Sequence, residues 1–116
     1  MNRQQIGIIV VHSMEAPNKP DTAEGVAAWF AGLRGKPPEA SAHACCDLDS
    51  MVRCVRPEHM AAAAPGANEV GYHIEHAGYA RQRREQWLDP TGYSMLQISA
   101  AHASKIASAW QVPVEA

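Results

Sequence analysis

Residues 70–79 read VGYHIEHAGY, and this stretch decides the interpretation of the fold. Apolar side chains alternate here with Gly71, His73 and Glu75. Because side chains alternate with period two along a strand, the pattern predicts a strand that projects His73 and Glu75 from one face. An imidazole beside a carboxylate suits a zinc site or proton transfer. Two polar residues on one face are, however, most often the solvated side of a sheet. His76 is predicted to lie on the opposite face, solvated or packed under a loop.

Upstream, the β-branched run at positions 8–11 predicts a second strand, which with Ile6 before it would be buried on both faces. This strand ends at His12. His12 has two interpretations. It is a partly buried histidine with satisfied hydrogen bonds, or it is a functional residue, a metal ligand or general base, that a rigid strand holds in place. In such sheets, functional sites lie where strands give way to loops.

Between these two strands the sequence predicts a helix and a hairpin. Asp21 followed by Glu24 resembles a capping box, and apolar spacing continues a helix over residues 22–33. Short strands over 41–46 and 51–55 flank the turn-forming residues 47–50 and predict a hairpin.

After the opening stretch, residues 81–87 fit one or two helical turns. A longer helix is predicted from about Thr91 to Trp110, because apolar residues recur there on one face. Residues 111–114 read as the start of another strand. The order strand, helix, hairpin, strand, helix, strand predicts a single α/β domain with a mixed β-sheet flanked by helices.

Composition narrows the function classes. The 116 residues suffice for one modest domain, and a net charge of −2 calls for neither nucleic acid nor membrane as partner. No apolar run approaches the roughly 20 residues of a membrane helix. Residues 1–17 show no small-residue cleavage site, so we predict no signal peptide and synthesis in a cytoplasm. The basic cluster Arg81, Arg83 and Arg84 is most simply solvated.

Three cysteines without a CxxC pair argue against a disulfide framework and a zinc knuckle. They are interpreted as small, mostly buried strand residues. His43 and Cys45 share a strand face, but a catalytic cysteine needs an exposed, electropositive setting. His102, between Ile98 and Ile106 on the last helix, is interpreted as flanking the core.

Several stretches together resemble the zinc-dependent N-acetylmuramoyl-L-alanine amidases, the family of phage lysins and peptidoglycan recognition proteins. IIVVHSMEAP is similar to the family's first strand, and SAHACCDLDSMVRCVRP to its next hairpin. AAAAPGANEVGYHIEHAG resembles the segment with an Asn-containing loop and a strand ending in Gly-Ile-Glu, and the helix ending in AWQVPV resembles the one before the last strand. IEHAGYA is most similar to lysins of phages that infect mycobacteria.

The resemblance implies roles for four residues. His12 would be a zinc ligand and Glu75 the catalytic carboxylate; spacing alone leaves His73, which shares the strand face of Glu75, open as an alternative base. His43 and Asn68 would contact the substrate. The implied reaction is cleavage of the amide between N-acetylmuramic acid and L-alanine in peptidoglycan by a zinc-activated water. The protein would remain in the cytoplasm of an infected host until its release to the cell wall.

The chain also departs from the family pattern. Family members keep two further zinc ligands beyond their last strand, so residues 1–116 are predicted to form an amidase-like domain that lacks this C-terminal segment. Ala62 and Ala63 stand where members carry Trp-His, and His73 replaces a glycine near the expected metal. The alternatives are therefore an amidase, a non-catalytic peptidoglycan-binding module or inactive fragment of the same fold, and an unrelated α/β domain. The oligomeric state stays open.

Overall fold

The sheet and its helices are seen in a computed structural model that describes residues 5–113. The elements, in chain order, are β1 (Ile8–Ser13), α1 (Thr22–Phe30), β2 (Ala44–Cys46), β3 (Met51–Arg53), β4 (Gly71–His76), α2 (Arg84–Trp87) and α3 (Pro90–Trp110). The predicted α/β class, a mixed sheet flanked by helices in one domain, is confirmed.

The four strands lie in the order β1-β4-β2-β3. β4 is parallel to both β1 and β2, whereas β2 and β3 form the antiparallel hairpin predicted from the turn residues between them. The register pairs His12 in β1 and Cys45 in β2 with Glu75 in β4. The two strands that carry His12 and Glu75 are therefore direct neighbours.

One face of β4 packs against α3. Tyr72 and Ile74 are fully buried in a core cluster with Met95 and Ile106 of that helix. Burial of each such side chain contributes roughly 1.5–3 kcal/mol. His73 and Glu75 alternate with these residues and so lie on the other face of the sheet.

Local capping explains where α3 begins and ends. The Asp89 carboxylate accepts a hydrogen bond from the Gly92 N–H at 2.8 Å, and Pro90 occupies the first turn, where a missing N–H costs nothing. Gln111 ends the helix in a left-handed conformation with a φ of 52°. These are signals that the sequence displays, and the predicted start at Thr91 is off by one residue.

The start of α1 shows why the predicted capping box is wrong. Asp21 has a φ of 73° and its side chain caps nothing. The first-turn N–H of Ala23 instead donates to Asp47 Oδ2 at 2.8 Å, from the distant β2–β3 turn. Glu24 accepts a hydrogen bond from Ser50 Oγ at 2.7 Å rather than closing a box. The helix also ends at Phe30, because Gly32 turns the chain with a φ of 77°.

Strand β1 corrects a second prediction, because it is not buried on both faces. It pairs only with β4 among the strands within residues 5–113, and Val11 is 67% exposed. A β-branched run suits an edge strand as well as a central one, so the pattern could not separate the two.

Three smaller differences concern element ends. The hairpin strands are shorter than predicted, at Ala44–Cys46 and Met51–Arg53. Gln111 to Pro113 form no strand, and Val114 lies outside the described residues. Across the described range, the helices are too short or too polar for any of them to span a bilayer.

Candidate active site

The candidate site lies where β1 and β4 end side by side. His12 and Glu75 are partners in the parallel ladder, so their side chains point to the same face of the sheet. His73 lies two residues before Glu75 on that face. The structure thus brings together the predicted metal ligand and both predicted bases.

A direct contact joins the two histidines. His12 Nε2 is 2.9 Å from His73 Nδ1, and the ring centroids are 5.2 Å apart. His73 Nε2 lies 3.2 Å from the carbonyl oxygen of Ala67, which can only accept. A neutral His73 therefore carries its proton on Nε2 and accepts at Nδ1. It follows that His12 donates from Nε2.

Burial also favours the neutral form of His12. Removal from water lowers the pKa of this imidazole below its usual value of 6.5. At neutral pH His12 is therefore uncharged.

Glu75 has the protonation behaviour expected of a proton-transfer group. Its side chain is half-buried, and burial raises the pKa of the carboxyl from 4.5 to about 7. The cause is desolvation, which disfavours the charged form. Both protonation forms are therefore populated near neutrality, which is optimal for a group that accepts and then returns a proton.

His43 and Asn68, the predicted substrate contacts, both have roles within the protein. His43 Nε2 donates to the His59 carbonyl at 2.8 Å, and its Nδ1 accepts the His73 backbone N–H at 3.0 Å. The ring also stacks on Tyr72, with centroids 4.6 Å apart. These contacts fix the position of His43 against β4. Substrate contact by His43 stays a prediction.

Asn68 shapes the loop before β4. Its Oδ1 accepts the backbone N–H groups of Ala63 and Ala64, at 3.0 and 2.8 Å. The loop that would flank the substrate is thereby held in one conformation. A direct contact between Asn68 and substrate stays a prediction too.

His76 differs from its prediction. It is neither solvated nor under a loop but buried beneath α3, where its Nε2 lies 2.6 Å from Ser99 Oγ. Burial lowers the pKa of this imidazole. The alternation that places it with Tyr72 and Ile74 was a signal for this position.

Sequence reasoning also missed two groups near the site. Asp47 is fully buried and accepts from the Ala23 and Asp49 backbone N–H groups, which ties α1 to the β2–β3 turn. Desolvation raises the pKa of this carboxyl. Cys45 is the ladder partner of Glu75 on the side away from β1. Neither relation has a local sequence signal, because each joins distant segments.

Two cavities lie near the end of β1 and around α2, and neither is lined by His73 or Glu75. One, of about 210 Å³, is bordered by His12 and Trp87. A larger one, of about 430 Å³, lies past the strand ends and includes Asn18, Arg81 and Trp87. Trp87 lines both cavities.

The residues present do not fit a zinc ion by themselves. A structural or catalytic zinc needs at least three protein ligands. Between residues 5 and 113, no three His, Cys, Asp or Glu side chains are arranged to hold a metal. In addition, the Nε2 of His12 is occupied by its hydrogen bond to His73.

Comparison with known proteins shows what the chain is similar to. No protein-family model matches it, and no curated protein matches it. Among solved structures, PlyL is similar with a TM-score of 0.70 and 18% identity, over 97% of this chain and 65% of that chain. A single-substitution mutant of PlyL gives 0.69 and 17%, over 97% and 66%.

The Staphylococcus aureus hydrolase AmiA, solved in complex with its ligand, is also similar. Its TM-score is 0.69 at 14% identity, over 93% of this chain and 47% of AmiA. The chain therefore has the fold of these proteins, and it spans about two thirds of PlyL and about half of AmiA.

Proposed function

We propose that this chain forms the acid–base face of a peptidoglycan hydrolase that cleaves the amide between N-acetylmuramic acid and L-alanine. The observation that carries the proposal is Glu75, half-buried with a pKa of about 7, in register with His12 at the strand ends. The fold likeness to PlyL and to the hydrolase AmiA supports it, as do the motifs that resemble the amidases. The substrate would be met at the cell wall, after release from an infected host.

In this proposal Glu75 moves one proton in two stages. Its carboxylate takes a proton from a water molecule as the water oxygen attacks the carbonyl carbon of the lactyl amide. The carboxylic acid then gives that proton to the amide nitrogen as the C–N bond breaks. The products are a lactyl carboxylate and a free L-alanine amino terminus, and Glu75 returns to its starting form.

Glu75 is preferred over His73 as the base because of what each group already contacts. Both ring nitrogens of His73 have partners, at His12 Nε2 and the Ala67 carbonyl. His73 would have to break a hydrogen bond before accepting a proton from water. We therefore assign His73 to positioning His12.

Zinc is the cofactor that the resemblance implies, with His12 as its proposed ligand here. When bound, zinc would polarise the amide carbonyl and lower the pKa of a water. Because the described donors do not fit it, we propose that a complete zinc site needs ligands from outside residues 5–113. Calorimetry with zinc on this chain should then show only weak binding, and a nanomolar one-to-one complex would contradict this.

The proposed reaction is tested by measuring new amino termini released from purified peptidoglycan, with zinc added. We expect slow release by the wild-type chain at high zinc concentration, because this chain binds the ion only weakly in our proposal, and a further loss of at least about a hundredfold in Glu75→Gln, the usual scale for removing a general base. Glu85→Gln is the matched control, because that side chain is 81% exposed. Full activity of Glu75→Gln would overturn the assignment.

A second candidate function is peptidoglycan binding without cleavage. Two observations favour it: no three-ligand metal group within residues 5–113, and the contact that occupies His12 Nε2. A pull-down on purified cell wall, run beside the amino-terminus assay, separates the two. Binding without release supports the binding module, whereas failure of both contradicts either function.

A further inference from the structure

We propose that Cys45 and Cys54 form a modification site at which low-molecular-weight disulfides convert two thiols into an intramolecular disulfide. The two sulfur atoms lie 3.8 Å apart. Cys45 is the ladder partner of Glu75, but neither thiol takes part in the acid–base chemistry proposed above.

The hairpin brings the two thiols together. Cys45 is in β2 opposite Val52 in β3, and Cys54 lies two residues farther on, past the last ladder residue. Because side chains alternate along a strand, Cys54 shares the face of Val52 and therefore that of Cys45. The Cys54 backbone N–H also donates to the His43 carbonyl at 2.8 Å, which holds the segment beside β2.

Only a short movement separates the thiols from a bond. A disulfide requires about 2.05 Å between sulfurs. Cys54 lies beyond the last ladder pair of β3, so its side chain can rotate toward Cys45 while its backbone keeps the hydrogen bond to the His43 carbonyl. The β2–β3 hairpin already holds the two sulfur atoms 3.8 Å apart, so we expect oxidation to leave the strand pairing of the sheet unchanged.

The two thiols have different access and different acidity. Cys54 is exposed, and the hydrogen bond with Cys45 lowers the pKa of its thiol. Cys45 is buried, and that same hydrogen bond together with desolvation raises the pKa of its thiol. Since the thiolate is the nucleophile, Cys54 is the attacking thiol and Cys45 the resolving one.

The reaction balances with a disulfide of a small thiol, such as oxidised glutathione, as the oxidant. The Cys54 thiolate attacks one sulfur, forms a mixed disulfide and releases one small thiolate. Cys45 then loses its proton to that thiolate or to solvent and attacks the Cys54 sulfur, which expels the second small thiolate. In total, two protein thiols are oxidised and one small disulfide is reduced to two thiols.

Cys46 provides the matched control. It is the next residue in β2, on the opposite face, and its Sγ contacts the Glu75 carbonyl oxygen at 3.5 Å. Burial raises the pKa of its thiol to about 12. It is therefore expected to stay reduced while the folded chain is oxidised.

The experiment treats the folded chain with oxidised glutathione and reads intact mass, thiol count and a non-reducing peptide map. We expect the wild-type chain to lose about 2 Da and two of its three thiols, with a cross-link joining the Cys45 and Cys54 peptides. Cys46→Ser should behave in the same way. Cys45→Ser should stop at a stable mixed disulfide on Cys54, and Cys54→Ser should react at least about tenfold more slowly.

Three results would overturn the proposal. They are a stable glutathione adduct on the wild-type chain, no reaction under native conditions, and a cross-link that includes Cys46. Far-UV circular dichroism of each variant shows whether it is folded. The Cys46→Ser result and the peptide map of the unmutated chain decide the outcome even where a Cys45 variant fails to fold.

Discussion

The substitution Glu75→Gln should make the protein more stable at pH 8 while abolishing its proposed chemistry. In the folded chain, burial raises the pKa of Glu75 from 4.5 to about 7. The folded state thus holds this proton more tightly than the unfolded state does. The free energy of unfolding must therefore fall as pH rises from about 4.5 to about 7, and it stays reduced above that range.

The magnitude follows from the same pKa values. At 1.36 kcal/mol for each pKa step, a rise from 4.5 to about 7 corresponds to roughly 3.4 kcal/mol. Glu75 is only half-buried, so solvent screening reduces this to about 1–2 kcal/mol. A neutral glutamine of the same shape does not carry this penalty. The free energy of unfolding of Glu75→Gln, relative to the wild type, should therefore rise by about 1–2 kcal/mol between pH 5 and pH 8.

Urea unfolding of both chains at pH 5, 6, 7 and 8 tests this, with Glu85→Gln as the control. The Glu85 side chain is 81% exposed, so that variant should follow the wild-type pH dependence. Comparing differences cancels the titration of every other group, including the buried histidines. Parallel curves for wild type and Glu75→Gln would show that Glu75 has an ordinary pKa and would remove the basis of its proposed role.

Three further outcomes are expected. Asp47→Ala removes a buried acceptor of two backbone N–H groups and should lower the free energy of unfolding by about 2–3 kcal/mol in urea titration. An unchanged urea midpoint would refute the role of Asp47 as the cap of α1. Gly92→Ala would press a Cβ against the Trp87 carbonyl oxygen of α2 and should lower the Tm by several degrees. Gly25→Ala is the control, because the atom nearest to its new Cβ is 3.8 Å away. Equal melting curves for the two variants would contradict this. In nitrogen-15 NMR the His12 ring of the wild type should be protonated on Nε2. In His73→Ala the His12 ring should exchange between its two tautomers. A His12 ring protonated on Nδ1 in the wild type would rule out the donor assignment.

The elements that sequence reasoning predicted well are those whose signals are local. Strand β4 follows from the alternation around Tyr72 and Ile74, and α3 follows from its apolar face. In each case the residues that define the element lie within it or next to it. A single sequence contains that information directly.

The features that sequence reasoning missed depend on contacts between distant segments. The cap of α1 comes from Asp47, and the exposure of β1 depends on which strands flank it. For the site, the roles expected of His12 and Glu75 came from the family resemblance rather than from periodicity. The contact between His12 and His73 required the ladder register, which no pattern within either strand specifies.

The parallel ladder of β1 and β4 also has a consequence for folding order. His12 and His73 are 61 positions apart, and β1 has no other strand partner within residues 5–113. Contacts of such long sequence separation slow folding, since a large loop must close before they form. On the ribosome the first strand is made early and must wait for β4 to emerge. The hairpin can pair well before that point, so the face that carries His12 and Glu75 is expected to be among the last parts of the molecule to assemble.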